Sequence, residues 1–219
     1  MAIARAQGWW SGTRSDDTVS DIHRPLYLLD IPWDSYDWPR HLAVARAEHP
    51  ALAAVPDILT LAQYPTMLEQ AEELAPYCAA LLIIPKVDAG LLSQSLLPRA
   101  IGGRQVILGY SVPTKYGASP LPLWSYAGWP VHLLGGTPRR QIEAAQYMRV
   151  VSADGNMAQK LANRGLVFDG EGHGVPMDRF EPERLGPGLP HRALALSLRH
   201  ITALWQRSGA TLEWMPVAV

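Results

Sequence analysis

A chain of 219 residues is long enough for one sizeable core, and 48% hydrophobic with 18% charged residues excludes a disordered segment. With 19 basic and 20 acidic residues the formal net charge is -1, which excludes a grip on nucleic acid by bulk electrostatics and leaves that task to a local patch or a partner. The single cysteine, Cys78, excludes an intramolecular disulfide and a cysteine-rich structural zinc site.

That cysteine usage points to a reducing cytoplasm. The segment Met1 to Trp10 lacks the apolar core of a signal peptide, and the longest apolar run, Ala79 to Pro85, is too short to cross a membrane. One domain over residues 1–219 is the expected organisation. In chain order, a first strand is expected around Ala6 to Trp10, followed by the apolar run Pro25 to Asp30. Asp37 to Glu48 predicts a helix, with Asp37 as N-cap and Pro39 in the first turn. Ala51 to Asp57 is a further apolar run, and Thr66 to Leu74 a helix whose Thr66 and Glu69 form a capping-box pattern. Ala79 to Lys86 and Gln105 to Gly109 read as buried strands. Pro130 to Gly135 follows, then a helix opening at Thr137-Pro138, the run Arg149 to Asp154, and a helix Asn156 to Asn163 closed by Gly165. Leu166 to Phe168 reads as a last short strand. Asp169 to Pro190 reads as an irregular Gly/Pro-rich loop, and His191 to Gln206 as an amphipathic helix.

Continuous apolar runs alternating with helices predict parallel strands buried on both faces, in an open doubly wound sheet or a closed barrel. Neither GxGxxG nor GxxxxGK[ST] occurs, so nucleotide-binding versions of the open sheet lose support. About eight strand candidates match the number a barrel requires.

In such folds functional groups gather beyond the C-terminal ends of the strands. Those ends carry Asp30, Asp57, Lys86, Gly109 with Tyr110 and Ser111, Gly135 with Gly136, and Asp154. One aspartate alone is more often a turn former or helix cap; Asp154 itself can cap the helix that follows it. Several at one rim point to a site. Paired carboxylates suit cleavage at a sugar anomeric carbon, one attacking or stabilising the oxocarbenium-like centre and the other moving a proton. That chemistry does not separate O-glycosides from N-glycosides. His132, inside an apolar strand, reads as a core histidine. The seven histidines show no metal-binding spacing, and no metal or organic cofactor is implied.

The segments LLDIPWDSYDWPRH (28–41), LAAVPDI (52–58), LIIPKV (82–87), ILGYSVPTKYG (107–117), PVHLLGGTPRRQ (130–141) and VVSADGN (150–156) resemble the tRNA-guanine transglycosylase superfamily, and most of all its phage branch acting on deoxypurines in DNA. The resemblance implies a single (β/α)8-like, TIM-type barrel, trimmed and without a zinc subdomain, because one cysteine cannot supply the three-cysteine, one-histidine zinc site of the tRNA enzymes. It implies Asp154 as nucleophile and Asp30 as acid/base, with a DIPWD loop in place of the family's DSGGF-like one. Asp57, Gly109 and Tyr110 fall where that family contacts the base. Lys86 stands where the bacterial tRNA enzymes have a base-reading glutamine. Trp33 is a candidate for stacking on a flipped base, and Lys115, Arg139 and Arg140 for holding a phosphate, beside the alternative of loop packing and a solvated surface. The expected reaction is base exchange in DNA, with tRNA less favoured and a 7-deazapurine base as co-substrate. The alternatives are a DNA glycosylase leaving abasic sites, and a non-catalytic subunit that binds nucleic acid or a partner.

Overall fold

The computed structural model describes residues 4, 6–17, 24–32, 35–88, 90–115, 117–171, 174–180 and 188–210. Its centre is an eight-stranded sheet. Seven strands run parallel: β1 (Ser11–Arg14), β2 (Leu26–Asp30), β3 (Leu52–Ala54), β4 (Ala80–Ile83), β6 (Arg104–Ser111), β7 (Pro130–Leu134) and β8 (Arg149–Ala153), hydrogen-bonded in that order. The short β5 (Ala100–Ile101) turns back antiparallel onto β6. Among the described residues five α-helices accompany the sheet: α1 (Trp38–Glu48), α2 (Tyr64–Leu74), α3 (Pro138–Ala145), α4 (Met157–Ala162) and α5 (Leu189–Ser208).

Alternation within the strands builds two apolar layers. Leu81 and Ile83 of β4, with Val106, Leu108 and Tyr110 of β6, join the main core shared with the helices. Ala80, Leu82 and Ile107 point the other way, into a smaller cluster with Tyr27, Leu28, Leu52, Ala54, Ile84 and Val151. Residues as distant in the sheet as Tyr27 on β2 and Val151 on β8 share that cluster because the sheet is curled. Two β-bulges help the curling. Tyr27 is the extra residue between the pairs Ser11–Leu26 and Gly12–Leu28, and Val151 the extra residue between Val131–Val150 and His132–Ser152.

The curl stops short of closure, and the expected closed barrel is corrected to an open half-barrel. The last predicted strand exists as β9 (Leu166–Phe168). It pairs antiparallel with β10 (Gly174–Pro176) instead of joining β8 to β1. The first strand is Ser11–Arg14, not Ala6 to Trp10. Asp37 caps α1 as expected, its side chain accepting from the Arg40 N–H. The capping box before α2 is formed by Thr60 and Gln63 rather than by Thr66 and Glu69, since the helix already begins at Tyr64. No helix among the described residues is long and apolar enough to cross a membrane.

Candidate active site

Parallel pairing through the whole row puts all seven strand ends at one rim. Asp30 ends β2, Lys86 follows β4, Ser111 ends β6, Gly135 follows β7 and Asp154 follows β8. Two cavities open there. One, of about 410 Å3, is lined by Trp9, Trp10, Tyr27, Asp30, His132 and Asp154, with Gly135 and Asn156 at its edge. The other, of about 790 Å3, is lined by Asp57, Ile84, Lys86, Ser111, Leu134 and Lys160. Arg14, Asp30 and Gly135 line both, so the two meet at Asp30.

Asp30 and Asp154 have contrasting surroundings. Burial is the main cause that pushes the Asp30 carboxyl up to about 6; the Ile31 N–H it accepts at 2.8 Å works against this, and the charges of Asp154 and Asp57 add to it. The Asp154 side chain is 39% exposed. Its Oδ1 accepts the Gly135 N–H at 2.5 Å. Gly135 takes φ +63, a left-handed value that aims this N–H at the carboxylate and suits glycine. Gln141 of α3 donates through Nε2 to the carbonyl oxygens of Gly135 at 2.7 Å and Asp154 at 2.5 Å, tying the β7 and β8 ends together.

Across the rim, Lys86 Nζ donates to Ser111 Oγ at 2.6 Å and lies 3.7 Å from Asp57 Oδ2. Burial raises the Asp57 pKa, and the Lys86 charge opposes it. Gly109 keeps the floor open: a Cβ there would stand 2.6 Å from Ile84 Cγ1 and 2.9 Å from Leu134 Cδ1, two residues of the larger cavity's wall. Tyr110 turns its ring away, edge-on to Tyr126 at 5.3 Å in the helix-side core, so only its backbone faces the rim region.

The structure therefore gathers Asp30, Asp57, Lys86, Gly109 and Asp154 at one rim. Arg139 is engaged elsewhere, by the Gly170 carbonyl at 3.2 Å and Glu171 at 2.8 Å. Arg140 donates to the Pro113 carbonyl at 2.6 Å. Lys115 is exposed and lines neither cavity. Trp33 lies outside the described residues. Among the described residues no group of three or more His, Cys, Asp or Glu side chains is placed to hold a metal ion.

Three residues at the rim were missed by sequence reasoning. Arg14 ends β1, a position visible only once that strand is placed correctly; its guanidinium forks onto Asp16 at 2.9 and 2.7 Å. Lys160 reaches the larger cavity from α4. His132 is 1% exposed, hydrogen-bonded through Nδ1 to Ser152 Oγ at 2.7 Å, with Nε2 3.9 Å from Asp154 Oδ1. Nothing in the apolar strand around it signals that neighbour.

Residues 4–206 match DUF6610, a family of unknown function, and the chain belongs to that family. No curated protein and no solved structure matches it.

Proposed function

We propose that this member of DUF6610 breaks the bond between a purine-type base and its sugar in DNA and exchanges the base for a 7-deazapurine. The observation that carries the reading is the pairing of Asp30, its carboxyl raised to about 6, with a solvent-reaching Asp154 in one cavity. A carboxyl that burial keeps protonated serves as acid beside a carboxylate that reaches solvent and can attack. Asp154 Oδ attacks the anomeric carbon, forming a C–O ester bond as the C–N bond breaks. The proton of Asp30 goes to the leaving base. The incoming 7-deazapurine then attacks the same carbon through its ring nitrogen. The ester opens, Asp154 is freed, and the ring proton returns to Asp30. Asp57 and Lys86 meet the base edge in the larger cavity, which Gly109 keeps deep enough for a flipped base. DNA is favoured over tRNA because a single cysteine supplies no zinc subdomain.

Exposure of the Asp154 side chain favours hydrolysis as a second reading, with water taking the sugar and an abasic site left behind. The test incubates the protein with duplex DNA, with and without a 7-deazaguanine base, and analyses nucleosides and abasic sites by mass spectrometry. Incorporation into intact DNA supports exchange; abasic sites without incorporation support hydrolysis. Both products should vanish in Asp154→Asn. Absence of both in the native protein, on modified phage DNA and tRNA as well, overturns the reading in favour of a non-catalytic binding subunit.

A further inference from the structure

The buried polar groups beneath Asp154 have no place in the reaction as written. His132 projects from β7 toward the concave side, opposite Ser152, because the bulge at Val151 shifts the β7–β8 register by one residue. Its Nδ1 is 2.7 Å from Ser152 Oγ. Its Nε2 is buried with no hydrogen-bond partner, and Asp154 Oδ1 stands 3.9 Å away. The Tyr27 hydroxyl is also buried without a partner, with Ser152 as the polar group acting on it.

We propose that His132 is a positioning residue for Asp154, its Nε2–H held toward the carboxylate by the Ser152 hydroxyl on the other ring nitrogen. The inference rests on the reading of Asp154 as nucleophile. The tautomer follows from what faces each ring nitrogen. The Ser152 hydroxyl can donate to Nδ1 as well as accept from it, so it suits either form. Nε2 faces the Asp154 carboxylate, and with the ring proton there Nδ1 accepts from Ser152. The opposite tautomer would aim a bare nitrogen lone pair at that carboxylate. Burial also lowers the His132 pKa, so the donor is a neutral imidazole that orients the nucleophile without neutralising it. The charged and titratable side chains sharing this cavity with Asp154 are Arg14, Asp17, Tyr27, Asp30 and His132.

Asp154 is held at rest by the Gly135 N–H on Oδ1. Attack draws the carboxylate toward the sugar, and a second donor on the side of the cavity wall fixes which oxygen points outward. His132 can supply that donor with a small closing movement.

The test has two arms. Nitrogen-15 NMR of the histidine-labelled protein should show His132 as the Nε2–H tautomer, and Ser152→Ala should mix the tautomers. Asp154→Ala should expose the Nε2 proton to faster exchange. In the activity arm, His132→Leu should lower kcat about 10- to 100-fold with KM within about twofold, and His132→Gln, which keeps an N–H, should recover part of the loss. A proton found on Nδ1, or an Nε2 proton indifferent to Asp154→Ala, overturns the inference whatever the protein catalyses. An active native enzyme with unchanged kcat in His132→Leu also overturns it. No turnover in the native protein overturns the proposed function instead, and the NMR arm still decides the geometry.

Discussion

Burial at the end of β2 makes Asp30 a group that folding disfavours in its charged form. Its pKa moves from 3.8 unfolded to about 6 folded, so the folded protein binds the proton more tightly. Stability therefore falls as pH rises between those values and stays lower above them, by about 3 kcal/mol at most. Asp30→Asn should raise stability by about 1 to 2 kcal/mol at pH 7.5 and by almost nothing at pH 4, read from urea melts at both pH values. Equal gains at the two would show that Asp30 is not desolvated. Under the proposed function the same replacement also removes the acid, so it should cost activity while it adds stability. With Asp30 as the proposed acid, base departure in the native protein should slow as pH rises through about 6 and Asp30 loses its proton. Asp30, Asp57 and Asp154 were legible in the sequence because each closes an apolar run, and the end of a parallel strand is where such a residue meets the rim. His132 was not. An isolated histidine among Val131, Leu133 and Leu134 looks like core, and the bulge that brings Ser152 opposite it leaves no mark in the sequence.

At the level of elements, the β6 floor and the rim loops separate shape from charge. Gly109→Ala would force its new carbon against Ile84 and Leu134. A cost of about 1 to 3 kcal/mol follows from overpacking. Because both neighbours line the larger cavity, KM for DNA should rise more than kcat falls. A variant with normal KM would place the base elsewhere. Arg139 and Arg140 open α3 and invited a phosphate-binding reading, since a helix N-terminus favours anions. Their side chains tie α3 to neighbouring segments at Gly170, Glu171 and Pro113. Arg140→Ala should speed proteolysis or amide exchange around residues 112–115 and leave the salt dependence of DNA binding unchanged. Loss of about one unit of slope in log affinity against log salt would return Arg140 to phosphate contact. Sequence reading placed these arginines on the correct helix; their partners lie in loops whose path no local pattern encodes.

The whole molecule is a barrel that stops before closing, and this sets where it is most easily opened. β2, β3, β4, β6 and β7 have a paired neighbour on each side, whereas β1 pairs only with β2 and β8 only with β7. Amide exchange should be slowest in the strands paired on both sides and fastest in β1 among the parallel ones. Protection of β1 equal to that of β6 would mean a closed ring in solution. Alternating apolar runs and helices made the parallel α/β arrangement legible, along with β2, β3, β4, β6, β7 and β8 in their order; the short β5 was not. Closure was misread because β10 lies in a Gly/Pro-rich stretch that reads as loop, and that short strand is what draws β9 away from the sheet. The proposed function turns on a covalent bond between Asp154 and the sugar. Its most direct test is to incubate the protein with duplex DNA, denature rapidly at low pH, digest, and map the modified peptide by mass spectrometry. A deoxyribosyl adduct should appear on Asp154, be absent in Asp154→Asn and disappear when a 7-deazapurine base is added before denaturation. Base release with no adduct on Asp154, or an adduct on another residue, would contradict it.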